Sequence, residues 1–122
     1  TVDGDCSCSV KTLENWQKYK TTHQLLTKKT EIIIYITSER DFLVHVEIFK
    51  KIAPDICLIF DPENTYTITN ELTYISNNLM TFLIDSTNTI KIVGNPLLDK
   101  TVNTLYEAYL SNYLNTNMRK ER

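Results

Sequence analysis

The chain has 122 residues, of which 42% are apolar and 23% charged, and its formal net charge is −2. These values are typical of one globular domain that buries its own core, so a single domain over residues 1–122 is predicted. The near-neutral, mixed charge argues against nucleic acid or an anionic membrane as the main partner. No apolar run approaches the length of a membrane span. The count of three cysteines excludes a framework of several disulfides.

The opening residues, TVDG, are typical of a strand that runs into a loop. We therefore expect a first strand that is truncated at Thr1, with further chain upstream. No signal peptide is visible, and under this expectation its absence carries no information about location.

The first predicted helix covers residues 9–28, with Ser7 or Ser9 as its cap. Its apolar residues recur at helical spacing and predict a buried face. They are Val10, Leu13, Trp16, Leu25 and Leu26.

A strand over residues 31–37 is predicted next, because EIIIYIT is a continuous β-branched run of the kind that is covered on both faces. A second helix follows over 38–52, capped by Ser38 or Asp41. Its apolar face is predicted to consist of Phe42, Val46 and Phe49. DICLIFD, residues 55–61, predicts another strand.

Residues 62–78 are diluted by Thr and Asn, and the sequence indicates at most a short helical face there. Its members are Ile68, Leu72 and Ile75. TFLID (81–85) and TIKIV (89–93) predict a β-hairpin, and Asn88 suits its turn.

Gly94 is expected to end the second hairpin strand, and a last helix is expected to begin at Asn95 as cap with Pro96 at its first position. Apolar residues at helical spacing predict its buried face. They are Leu98, Val102, Leu105, Tyr109 and Tyr113.

The predicted order is helix, strand, helix, strand, irregular segment, hairpin and helix. A right-handed crossover supplies parallel pairing and the hairpin adds antiparallel strands. The fold class is therefore α/β, with three layers on a mixed sheet.

This pattern resembles the thioredoxin-like superfamily, in particular the bacterial cell-envelope thiol-disulfide oxidoreductase and peroxiredoxin-like branch. Four segments carry the resemblance: DCSCSVKTLENW, EIIIYIT, TFLID…TIKIVG and NPLLDKTVNTLYEAYL. The resemblance implies a thioredoxin-like α/β/α sandwich, exchange with protein thiols or disulfides, and a location in the cell envelope or periplasm.

The chain departs from the family pattern at two places. The family usually carries Cys-x-x-Cys, whereas this chain has Cys6-Ser7-Cys8. By the resemblance, Cys6 matches the attacking cysteine, and the resolving position then falls on Ser9. If Cys8 takes the resolving role instead, the spacing is one residue short. The family also places a cis-proline before the Thr of the hairpin strand, in a loop that holds substrate. Met80 precedes Thr81 here, and because a cis bond at a non-proline costs about 2.5–4 kcal/mol, this loop is expected to be trans or reshaped.

The chemistry of the two cysteines leaves alternatives open. A thiol at a helix N-terminus is favoured as the nucleophilic thiolate, whereas Asp3 and Asp5 disfavour the negative charge. A disulfide with one intervening residue closes a small, strained ring, which is more easily reduced. The alternatives are two unreactive thiols or part of a metal site.

A metal site would need more ligands, because structural zinc normally takes four Cys or His groups. Cys57, His23 and His45 remain. Cys57 lies in the apolar run ICLIF and is expected to be a buried small hydrophobe. Both histidines are expected at the surface or boundary, so no metal or cofactor is predicted.

Three functions follow from these observations. The first is thiol-disulfide exchange by Cys6 and Cys8, with Met80 and Thr81 in the substrate loop. The second is a redox-inactive binding or scaffold module of the same fold. The third, weaker, is a peroxidase that uses Cys6 alone.

Overall fold

The computed structural model of the chain describes residues 1–40, 42–73, 75 and 79–120, and the side chains of these up to residue 116. The described chain divides into two compact units. Unit 1 comprises residues 1–24 and 31–74, and unit 2 comprises residues 25–30 and 75–122. The single domain over residues 1–122 stays a prediction.

Unit 1 alternates strands and helices, and unit 2 is a hairpin followed by a long helix. The elements of unit 1 are β1 (Val2–Asp3), α1 (Cys8–Thr22), β2 (Ile33–Thr37), α2 (Phe42–Ile52), β3 (Cys57–Phe60) and α3 (Thr65–Thr69). Those of unit 2 are β4 (Phe82–Ile84), β5 (Ile90–Val93) and α4 (Lys100–Lys120). The predicted mixed α/β class is confirmed.

The sheet of unit 1 is parallel, in the order β1-β2-β3. Val2 pairs with Ile36, and Ile33 pairs with Cys57. Parallel neighbours need a crossover, and α1 and α2 supply the two crossovers in turn. Strands β4 and β5 form a separate antiparallel sheet. The described strands are therefore paired in two sheets where the sequence predicted one mixed sheet, and the thioredoxin-like arrangement stays a prediction.

Strand β2 lies at the centre of unit 1, but only one of its faces is fully covered. Ile34 and Ile36 are buried, whereas Ile33 is 52% exposed, which corrects the expectation of burial on both faces. Tyr35 half-covers the second face, where its ring stacks on Tyr66 of α3 with centroids 4.1 Å apart. The remaining core comes from the helices and the α2–β3 loop: Leu13, Trp16, Tyr19, Phe49, Ala53 and Ile56.

The observed ends of the first two helices differ from those that the sequence predicts. Helix α1 ends at Thr22 instead of residue 28, and the main-chain N–H of His23 donates to the carbonyl of Tyr19. Threonines at the end of this helix have low helix propensity, and Leu25, predicted in its buried face, is 82% exposed. Helix α2 begins at Phe42. Ser38 therefore lies before the helix, and Asp41 lies outside the described residues.

The weak helical signal after β3 corresponds to the single turn of α3. The face that packs is not the predicted one, because Ile68 is exposed and Thr67 is buried. The side chain of Asp61 starts this turn by accepting the N–H groups of Thr65 and Tyr66 at 2.9 and 2.8 Å. These two bonds, led by that from Tyr66, lower the pKa of Asp61.

The predicted hairpin of unit 2 is confirmed. Asn88 adopts a φ of 64°, which its short polar side chain tolerates in a turn. Asp85 closes the turn by accepting bonds from the N–H groups of Thr87 and Thr89 and from the Thr87 hydroxyl, all within 3.0 Å. These bonds, the hydroxyl first, lower the pKa of Asp85 to about 2.

Helix α4 begins later than predicted, with a different cap. Asp99 accepts the N–H groups of Thr101 and Val102, whereas Asn95 accepts the N–H of Leu97 and forms a separate turn. The buried face is rotated toward Tyr106 and Leu110, and the predicted members Leu98 and Leu105 are exposed. Leu83, Tyr106 and Leu110 form the core of unit 2, packed by Leu26, Ile92, Val102 and Tyr109.

Candidate functional site

The two cysteines predicted as the site form a disulfide between β1 and α1. Their sulfurs are 2.06 Å apart and their Cα atoms 5.2 Å apart. Ser7 is the N-cap position of α1 and Cys8 is the first helical residue. Cys6 is half-buried and Cys8 is exposed. The disulfide therefore stands at a helix N-terminus with one of its sulfurs on the exposed residue.

A compact turn shapes the segment before the helix. The Asp3 side chain accepts the N–H of Asp5 at 2.9 Å, and the Asp3 carbonyl accepts the N–H of Cys6 at 3.2 Å. The buried hydroxyl of Ser9 donates to the same carbonyl, and the N–H of Ser9 donates to the carbonyl of Cys6 at 3.1 Å. The N–H of Cys8 donates to Sγ of Cys6 at 3.2 Å. Cys6 is thus held through its backbone and through its sulfur.

Gly4 lets this segment approach strand β2 closely. Its N–H donates to the carbonyl of Thr37 at 2.6 Å. A Cβ atom at this position would lie 2.8 Å from that carbonyl oxygen and 3.1 Å from the side chain of Ile36. A side chain at position 4 would therefore force backbone apart, and only glycine fits without a shift.

Asp5, next to Cys6, receives hydrogen bonds from four donors on the segment after β2 and on α2. The N–H groups of Glu39 and Arg40 donate at 2.7 and 3.3 Å, and the Ser38 hydroxyl at 3.0 Å. Nε2 of His45 lies 3.1 Å from Oδ1 of Asp5. These contacts, the Glu39 N–H foremost, hold the pKa of Asp5 below its usual value. The charge that the sequence placed beside the cysteines is therefore stabilised by donors of its own.

His45 lies at the boundary, as predicted, but it also has a partner that the sequence did not reveal. Its ring stacks on Phe49 with centroids 5.6 Å apart, and its side chain is 22% exposed. Asp5 and His45 are 40 positions apart. The sequence contains no direct signal for this pair. The two side chains meet because β1 and β2 are adjacent parallel strands, so the segments that follow them lie at the same edge of the sheet.

An open cleft of about 600 Å³ lies at the carboxyl ends of β1 and β2. Ligands of open parallel sheets bind outside this edge. Its lining includes the acidic Asp3, Asp5, Glu39 and Glu63 and the basic Arg40 and His45. Oδ1 of Asn64, another lining residue, is buried and accepts no hydrogen bond from the residues that the structure describes. The two cysteines do not line the cleft, and Asp5 connects the cleft to them along the chain.

The other residues singled out by the sequence lie elsewhere. Cys57 is a half-buried free thiol on β3, less buried than expected. Met80 and Thr81 belong to unit 2, where the bond between them is trans and the Thr81 carbonyl accepts the N–H of Gly94 at 2.9 Å. Their predicted position opposite the cysteines stays a prediction. Among the described residues no three His, Cys, Asp or Glu side chains converge as a metal site requires.

Comparison with known proteins adds no relative to this description. No protein-family model, curated protein or solved structure matches the chain. None of the helices in the described part of the chain is long and apolar enough to cross a membrane.

Proposed function

We propose that the protein is a thiol-disulfide oxidoreductase of the thioredoxin-like kind, with the Cys6–Cys8 disulfide as its redox centre. The observation that carries the proposal is the position of this disulfide at the start of α1. Cys6 precedes the helix, and Cys8 is its first residue and is exposed. Reactive cysteines occupy accessible sites of this kind, whereas structural cysteines are buried and inert.

The exchange reaction balances with the groups present. A substrate thiolate attacks one sulfur of the Cys6–Cys8 bond, that bond breaks, and the other cysteine leaves as a thiolate. A second substrate thiolate then attacks the substrate sulfur of the mixed disulfide and releases the second cysteine. Two electrons pass from the substrate, which becomes a disulfide, to the protein, which becomes a dithiol. A partner disulfide reoxidises the protein by the same steps in reverse.

The helix start supplies the electrostatics that this reaction needs. The N-cap residue Ser7 makes no side-chain capping bond, so its hydroxyl does not compete for the first N–H groups of α1. The N–H of Cys8 instead donates to Sγ of Cys6. The positive end of a helix favours a thiolate, and a hydrogen bond strengthens when its acceptor becomes ionised.

The finer fold and the location belong to the same proposal. The order β1-α1-β2, with the disulfide between strand and helix, and the terminal hairpin and helix support a thioredoxin-like arrangement. In that arrangement Met80 and Thr81 lie in the loop that holds substrate. A disulfide persists in an oxidising compartment, which supports the cell envelope or periplasm, and protein thiols or disulfides are the partners.

The proposal is tested by turnover on a protein disulfide. Reduction of insulin by dithiothreitol is followed for the unsubstituted protein and for Cys6→Ser, Cys8→Ser and Cys57→Ser. The expected result is acceleration by the unsubstituted protein and by Cys57→Ser, which keeps the 6–8 pair, with background rates for the other two variants.

Background rates for all four proteins would overturn the proposal and favour the redox-inactive binding module. Consumption of hydrogen peroxide that survives in Cys8→Ser but not in Cys6→Ser would instead favour the single-thiol peroxidase. The Cys57→Ser variant is the matched control, because it removes the third thiol without touching α1.

A further inference from the structure

We propose that Cys8 is the sulfur attacked by an incoming thiolate and that Cys6 is the thiolate that leaves. This assignment rests on the proposed function and concerns the oxidised protein. It reverses the order implied by the resemblance, in which the first cysteine of the pair carries the mixed disulfide.

Access favours attack at Cys8. Cys8 is exposed at the first residue of α1, whereas Cys6 is half-buried in the turn before it. The main chain of Cys6 is bonded on both sides, to the carbonyl of Asp3 and to the N–H of Ser9. The rate of exchange depends on which sulfur an attacking thiolate can reach, so the exposed residue is the entry point.

Stabilisation of the leaving sulfur points the same way. Sγ of Cys6 accepts the N–H of Cys8 at 3.2 Å. Within the described residues no donor reaches Sγ of Cys8 at hydrogen-bond distance. A sulfur that leaves as Cys6 thiolate therefore keeps a charge-assisted bond, and a better-stabilised leaving thiolate departs faster. A Cys8 thiolate would have no such bond.

The neighbouring carboxylate is the main opposing effect. A negative charge at Asp5 disfavours a thiolate at the adjacent Cys6. The oxygens of Asp5, however, accept bonds from the N–H groups of Glu39 and Arg40, from the Ser38 hydroxyl and from His45. These donors keep Asp5 ionised but offset part of its negative charge, whereas the Cys8 N–H acts on Sγ of Cys6 directly.

The complete step then has defined partners. The substrate sulfur bonds to Sγ of Cys8, the Cys6–Cys8 bond breaks, and its electron pair goes to Sγ of Cys6. A second substrate thiolate attacks the substrate sulfur of this mixed disulfide and displaces Cys8. The order predicts that the trapped intermediate carries the substrate on Cys8 and a free thiolate on Cys6.

Rapid quenching of the mixed disulfide tests the assignment. The oxidised Cys57→Ser variant of the chain is mixed with reduced glutathione and quenched with N-ethylmaleimide after several short delays. Tandem mass spectrometry of the peptide with both cysteines then locates the glutathione and the maleimide. Extrapolating the ratio of the two mixed disulfides to zero delay removes the effect of glutathione that later moves between Cys6 and Cys8.

The expected result is glutathione on Cys8 with maleimide on Cys6, in at least about tenfold excess over the opposite pattern. Equal amounts, or glutathione mainly on Cys6, would overturn the assignment and leave the proposed function intact. An intact Cys6–Cys8 disulfide with no mixed species at any delay would overturn the proposed function and the assignment together.

Discussion

The carboxylate of Asp5 and the imidazole of His45 meet at the carboxyl edge of the parallel sheet, with Oδ1 3.1 Å from Nε2. This contact joins the residue before Cys6 to helix α2. The same carboxylate accepts the N–H groups of Glu39 and Arg40. One side chain thus connects the turn that carries the disulfide to the segment that follows β2.

Asp5→Asn is expected to lower Tm by a few degrees at neutral pH. The pKa of Asp5 is lowered in the folded protein, so its stabilisation is present above the unfolded value of about 3.9 and is lost as pH falls through the folded value. The difference in Tm from the unsubstituted protein should therefore shrink in acid. Thermal unfolding at pH 7 and at about pH 2.5 measures it.

Glu63→Gln is the matched control for this prediction. Glu63 lines the same cleft but is exposed, and no main-chain N–H of the described residues donates to its side chain. A similar loss of Tm in Glu63→Gln, or an equal loss at the two pH values in Asp5→Asn, would contradict the role assigned to Asp5.

Ser9→Ala is expected to destabilise the protein by about 1 kcal/mol, because it removes a part-buried bond from the hydroxyl to the Asp3 carbonyl. Ser7→Ala is expected to change stability by less than about 0.5 kcal/mol. N-cap serines usually contribute through their side chain, but Ser7 is exposed and makes no such bond. Urea unfolding of the pair provides the comparison, and a larger cost at Ser7 would show that the cap is misassigned.

Thr87→Ala is expected to raise the pKa of Asp85, which is about 2 in the intact hairpin chiefly because the Thr87 hydroxyl donates to it. Ser86→Ala changes an exposed neighbour and should leave that pKa in place. Carbon-13 NMR titration of the Asp85 carboxyl measures both. The stability that ionised Asp85 confers is lost as pH falls from its unfolded pKa toward its folded pKa of about 2. A higher folded pKa in Thr87→Ala therefore narrows the pH interval over which that stability is lost. Equal midpoints in the two variants would contradict the assignment.

Tyr106→Phe is expected to cost about 1–3 kcal/mol, since the buried Tyr106 hydroxyl donates to the carbonyl of Gly94 at 2.8 Å and its loss leaves that carbonyl without this partner. Tyr113→Phe removes a hydroxyl from an exposed ring on the same helix and should change stability by less than about 0.5 kcal/mol. Urea unfolding distinguishes them, and equal effects would rule out a special role for the Tyr106 hydroxyl.

The periodicity of the sequence predicted helices α1, α2 and α4 and strands β2 to β5, but not their ends, and it indicated α3 only weakly. Asn95 and Asp99 are both suitable caps four positions apart, and only the observed bonds select Asp99. Leu25 fits a helical face by spacing, yet the helix has already ended at Thr22. Such choices depend on which residues later pack against an element, and a local pattern contains no information about that.

The sequence likewise predicted one part of the candidate site and not the other. The approach of Cys6 to Cys8 follows from a spacing of two and is visible in the sequence. The donors to Asp5 come from residues more than thirty positions away. The sequence therefore identified the carboxylate as an unfavourable charge, and only the parallel pairing of β1 with β2 brings Ser38, Glu39 and His45 to it.

Gly4 has a consequence for the genetic tolerance of this region. Glycine is the only residue without a Cβ atom, so every substitution at position 4 adds one. This Cβ atom would lie 2.8 Å from the Thr37 carbonyl oxygen. In a saturation scan, position 4 should therefore be among the most depleted columns, while the exposed Ser7 three residues later accepts many substitutions. Natural substitutions near the disulfide are therefore expected at Ser7, between the two cysteines, and not at Gly4.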